Sequence, residues 1–161
     1  MTWIAGVDGC KFGWIAVLLN TESGERKLRL LSSFEDVVKL SPTPATTAAD
    51  MPIGLFEEGV PRGRICDVEA RGLPGKPRSN SVFPPPSRRA LRGRTFEEAK
   101  RLNGSAGLTL QSFRLFTKLL ETDAAMTPHL QERIAEVHPE VSFFFANGGR
   151  AMLHPKKKPE G

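Results

Sequence analysis

The stretch TWIAGVDGCKFGW, Thr2 to Trp14, decides how the rest of the chain is read. Trp3, Ile4, Ala5 and Val7 form a short apolar run without helix signals, which reads as a buried strand over residues 3–8. The run stops on a charge, Asp8. Gly6, Gly9 and Gly13 surround that charge with positions lacking a side chain. Such glycines permit a tight turn, and they let another group approach the backbone closely. Taken alone, a VDG triplet describes a strand end with a solvated aspartate. A second aspartate in the same setting changes that reading.

Working outward, residues 13–20, GWIAVLLN, read as a second strand and residues 27–33 as a third. The TESGER turn joins them into an antiparallel meander. Ser33 and Asp36, three apart, resemble a capping box that opens a short helix through Leu40. After the Pro-rich SPTPATT connector, small and β-branched residues lead to Asp50, then Met51 and Pro52. If this strand lies parallel to the first and beside it, both aspartates share one carboxyl end of the sheet. That end is where α/β proteins place their sites. A further strand from Ile134 to His138 would add Glu136 there, and Pro139 then suits the first position of a helix that stops near Gly148.

Residues 57–132 read as a helical and Pro/Arg-rich insertion, and residues 150–161 as a basic tail, in a single domain of 161 residues. Within the insertion RICDVEARG is helical, with Asp67 and Arg71 spaced to pair. Pro84, Pro85 and Pro86 force SVFPPPS to be irregular. Thr95 with Glu98 caps one helix. Thr109 caps another, which would present Leu110, Phe113, Phe116 and Leu120 on one face.

The net charge of +5 is unevenly spread. Residues 1–61 carry five basic and eight acidic side chains, whereas residues 62–94 alone carry nine basic and two acidic. Such an excess of cation favours a phosphate-bearing partner, nucleic acid above all. Arg64, Arg71, Arg78, Arg88 and Arg89 are the candidate phosphate-binding residues, since the guanidinium fork suits phosphate. Phe83 is a loop anchor or a stacking platform for a base. Cys10 and Cys66 lack CxxC partners and read as reduced thiols, which places the protein in the cytoplasm. No apolar run is long enough for a membrane span, and no signal segment opens the chain. His129, His138 and His154 do not fall into zinc spacing with the cysteines.

Carboxylates brought close together repel unless one takes a proton or a cation sits between them. Mg²⁺, or Mn²⁺ in its place, suits carboxylate oxygens and often bridges to phosphate. Bound metal of this kind activates water for phosphodiester cleavage. Asp8, Asp50 and Glu136 are the candidate metal ligands, and His138 is a candidate general acid or base.

The motifs GVDGCKFGW, ADMPIGL, RICDVEAR, SNSVFPPPSRRAL and EVHPEVSFFFANGG together resemble the DUF429 family, from about residue 4 to the end. The resemblance implies a predicted nuclease of the ribonuclease H-like superfamily. It implies a mixed five-stranded α/β sheet, three antiparallel strands and then two parallel ones. Asp8 and Asp50 would be the strand carboxylates of a metal site, with Glu136 next and Glu140 behind it. Family members usually continue into an Asp-rich helix. This sequence ends at HPKKKPEG, so that helix is expected to be absent and the site weaker for it.

Three functions follow, in order: a Mg²⁺-dependent nuclease, a non-catalytic nucleic-acid- or nucleotide-binding module of the same fold, and an actin-like phosphotransferase. Three successive aromatics, Phe143, Phe144 and Phe145, cannot all face one core, which suggests a homodimer through that region.

Overall fold

The computed structural model describes residues 1–76 and 78–153. Lys156, Lys157 and Lys158 of the expected basic tail lie outside the described residues, as does His154. The chain divides into two compact units, one of Met1–Leu55 with Thr109–Val137, the other of Phe56–Leu108 with the chain from His138 onward. The stretch 57–132 is shared between the two units.

The first unit holds a five-stranded sheet: β1 (Trp3–Cys10), β2 (Gly13–Asn20), β3 (Arg26–Leu31), β4 (Thr46–Ala49) and β5 (Ile134–Glu136). The strand order is β3-β2-β1-β4-β5. β1 pairs antiparallel with β2, and β2 with β3; β4 is parallel to β1, and β5 is parallel to β4. The meander and the parallel pair read from the sequence are thus present, with ends shifted by one or two residues.

One face of the sheet is the core. Trp3, Ala5, Val7, Trp14, Ala16, Leu18, Ala49 and Ile134 are buried. Helices α1 (Phe34–Val38) and α5 (Phe116–Ala125) pack against each other. Phe34 meets Trp14 edge-on, with ring centroids 4.9 Å apart, and the Trp14 indole N–H donates to Glu121 at 2.7 Å. Fully burying either ring stabilises the unit by about 2–3 kcal/mol. On the other face Ile4, Val17, Leu28 and Leu30 are exposed.

Helix α1 starts as its sequence predicts. The Ser33 hydroxyl accepts from the Asp36 N–H, and the Asp36 carboxylate accepts from the Ser33 N–H at 3.0 Å. Asp36 also accepts from the Ser32 hydroxyl at 2.7 Å and the Ser33 hydroxyl at 2.9 Å. These bonds, the Ser32 hydroxyl first, hold the Asp36 carboxyl below its ordinary value. A depressed folded-state value gives stability that is present above the unfolded value and lost as pH falls through the folded one. The Asp36 carboxyl carbon, followed by NMR, is expected to titrate below the usual aspartate range, and Ser32→Ala to move its midpoint upward.

Gly13 closes the β1–β2 hairpin opposite Cys10, at φ +128°. A Cβ there would collide with the Leu31 carbonyl oxygen at the end of β3. The close approach that this glycine permits is made by the chain itself. Gly13→Ala is expected to destabilise by about 3 kcal/mol, combining backbone strain with collision; urea unfolding would read the loss.

The second unit contains α2 (Ile65–Gly72), α3 (Phe96–Leu102) and α6 (Pro139–Ala146), with short 3₁₀ turns between. A short α4 (Leu110–Arg114) precedes α5 in the first unit. The predicted single helix after Thr109 is interrupted at Leu115. Phe116, Leu119 and Thr122 are buried, while Leu120 is exposed.

Candidate metal and phosphate site

The carboxyl end of the parallel strands sets two aspartates side by side. Val7 pairs with Ala49, and the Asp50 N–H donates to the Val7 carbonyl at 2.9 Å. The ladder therefore runs one residue past β4, and the backbone of Asp50 stands beside that of Asp8, about 4.8 Å away. Asp8 is exposed and Asp50 half-buried. A Cβ at Gly6, on the same face of β1 as Asp8, would meet nothing within 4 Å. Room for an approaching phosphate exists there.

Glu136 reaches the same end of the sheet by a different side. It pairs with Ala49, which pairs with Val7, so these three side chains leave the sheet on one face. Asp8, one residue beyond Val7, leaves on the other. The Glu136 carboxylate accepts the Ile53 N–H at 2.8 Å. It thereby ties down the loop that follows Asp50. Among the described residues no group of three or more His, Cys, Asp and Glu side chains is gathered for a metal ion. The pair Asp8 and Asp50 suits Mg²⁺, which commonly takes one or two carboxylates and completes its shell with water and substrate phosphate.

Lys118 of α5, which the sequence did not single out, lies against the core face of β1, opposite the face from which Asp8 projects. Its methylenes would lie 3.7 Å from a Cβ at Gly9, and its ammonium sits 4.8 Å from the centre of the Trp14 ring and 3.8 Å from Glu121. No local signal marks it, because the helix carrying it is remote in sequence.

His138 and Glu140 belong to the second unit. The His138 Nδ1 accepts the Glu140 N–H at 3.2 Å, capping α6, and Nε2 lies 3.0 Å from the Ser81 carbonyl. The tautomer with its proton on Nε2 satisfies both contacts. Buried Glu140 faces Arg78 at 3.9 Å, and Arg78 also donates to the Met152 carbonyl at 3.1 Å.

The other candidate arginines also hold their unit together. Arg64 forms a two-pronged bond to Asp67, Nε to Oδ2 at 3.0 Å and Nη2 to Oδ1 at 2.6 Å. Asp67 thus pairs with Arg64, three residues before it, and not with Arg71. Arg71 donates instead to the Val82 carbonyl at 2.9 Å. Arg89 pairs with Glu58 at 3.0 Å, and the Arg88 N–H donates to the Phe56 carbonyl at 2.9 Å. Phe83 is half-buried. In α6, Phe143 and Phe145 are exposed, and Phe144 stacks edge-on with Phe145.

A family match covers residues 6–161, from the glycine before Val7 to the end of the sequence, and so spans every residue of the site. This chain belongs to the DUF429 family. That family is described as a protein of unknown function. No curated protein and no solved structure matches the chain. Among the described residues of this DUF429 chain, no helix is long and apolar enough to cross a membrane. Neither Cys10 nor Cys66 is in a disulfide.

Proposed function

We propose that this DUF429 chain is a metal-dependent phosphodiesterase acting on nucleic acid, with a ribonuclease H-like sheet. One observation carries the reading: the Val7–Ala49 register, which sets Asp8 and Asp50 together at the carboxyl end of the two central parallel strands. The order of three antiparallel strands followed by two parallel ones supports the fold assignment. The basic composition supports a polyanionic substrate.

Asp8 and Asp50 would hold Mg²⁺ or Mn²⁺, which supplies Lewis-acid polarisation of a phosphate and an activated water. The residues of the chain then position the substrate. The open space over Gly6 admits a phosphate, and Glu136 fixes the loop leaving Asp50 through its bond to Ile53.

A non-catalytic binding module is the second reading. The engagement of Glu136 with Ile53 favours it, since that oxygen holds backbone in place of metal. Cleavage of single-stranded and duplex DNA and RNA with Mn²⁺ separates the two. Turnover that disappears in Asp8→Asn supports the enzyme. Salt-sensitive binding without turnover supports the module.

A further inference from the structure

The tip of the β1–β2 hairpin carries two side chains unusual for such a place. Two-residue hairpin tips favour Asn, Asp and Gly. Here Lys11 and Phe12 stand between the closing pair Cys10 and Gly13. Phe12 is 79% exposed, while the phenylalanines of the sheet unit's core, Phe34 and Phe116, are buried. The Lys11 ammonium lies 5.6 Å from the centre of the Phe12 ring. An aromatic face and a cation are thus presented together.

The tip is firmly seated. Gly13 abuts the Leu31 carbonyl, and the next residue, Trp14, is wholly buried. A ring on so fixed a base loses little freedom when something stacks on it. It also lies at the carboxyl end of β1. Lys11 and Phe12 stand three and four residues beyond Asp8, roughly 10–13 Å at the rise of a strand.

We infer that Phe12 is a stacking platform for one unpaired base, with Lys11 contacting an adjoining phosphate, on a single-stranded nucleic acid whose backbone continues past Asp8 and Asp50. This rests on the proposed function for the phosphate at the two aspartates. It adds the substrate class, single-stranded nucleic acid with little sequence preference. In a duplex the base faces are already stacked on one another, whereas every unpaired base offers a face to an aromatic ring.

Binding without cleavage tests it. The full chain is titrated in EDTA against a fluorescein-labelled short oligothymidylate, and separately against the same strand annealed to its complement. Phe12→Ala is expected to weaken single-strand binding by about 5- to 150-fold. Phe12→Trp is expected to restore it, with indole emission quenched by the oligonucleotide. Phe12 is exposed, so both variants should unfold like the wild type. Undiminished binding by Phe12→Ala, equal affinity for the duplex, or no binding by the wild type would each overturn the inference.

The same preparations, titrated with Mn²⁺, keep this inference distinct from the reading on which it rests. Phe12-dependent stacking without metal binding sinks the enzyme reading and leaves the platform. Metal binding abolished by Asp8→Asn, together with Phe12-independent binding of the strand, sinks the platform alone.

Discussion

Arg64→Ala is expected to destabilise the second unit by about 3–5 kcal/mol, read as a fall in the urea midpoint and as faster amide exchange across α2. Arg64 is 6% exposed and Asp67 5% exposed, so the substitution leaves a carboxylate buried without its main cation. Asp67 does more than pair. It also accepts the Arg64 backbone N–H at 2.7 Å, closing the first turn of α2. Asp67→Asn alone should therefore also be costly, because it removes the negative charge that the buried guanidinium faces. The double variant Arg64→Met with Asp67→Asn should recover most of the loss. Methionine removes the charge, and the asparagine oxygen still caps the helix. A loss as large in the double variant as in Arg64→Ala would assign the effect to packing of the arginine stem.

Asp8→Asn with Asp50→Asn is expected to abolish Mn²⁺ binding while leaving the sheet intact. Asp8 is exposed at the end of β1, and the Asp50 contact that positions β4 is made by its backbone N–H. Neither amide substitution removes that backbone bond. Catalysis that depends on two carboxylates should fall with either one alone, since a neutral amide oxygen offers a cation much less than an ionised carboxylate.

The elements of the sheet were legible because their signals are local. The TESGER turn, the Ser33–Asp36 cap and two apolar runs ending on aspartate each occupy a few neighbouring residues. The neighbouring placement of Asp8 and Asp50 followed from one assumption, that the strands ending on them are parallel and adjacent. The side taken by Glu136 did not follow. In a pleated sheet a one-residue change of register moves a side chain to the opposite face, and no sequence signal separates pairing with Ala49 from pairing with Asp50. The partners of the arginines were not legible for another reason. A run of Arg with few acids reads as an open cationic patch, yet Arg78 meets Glu140 and Arg89 meets Glu58, partners distant along the chain. Phe12 went unnoticed because exposure of an aromatic at a turn is decided by the turn, not by the residue. Leu119 rather than Leu120 enters the core, on the stripe that carries Ser112 and Phe116.

The central claim is that Asp8 and Asp50 form one cation site. Calorimetric titration of Mn²⁺ into the wild type and into the Asp8→Asn, Asp50→Asn double variant tests it most directly. The account predicts binding by the wild type and none by the folded double variant. Equal binding by both, or none by a folded wild type, would contradict it.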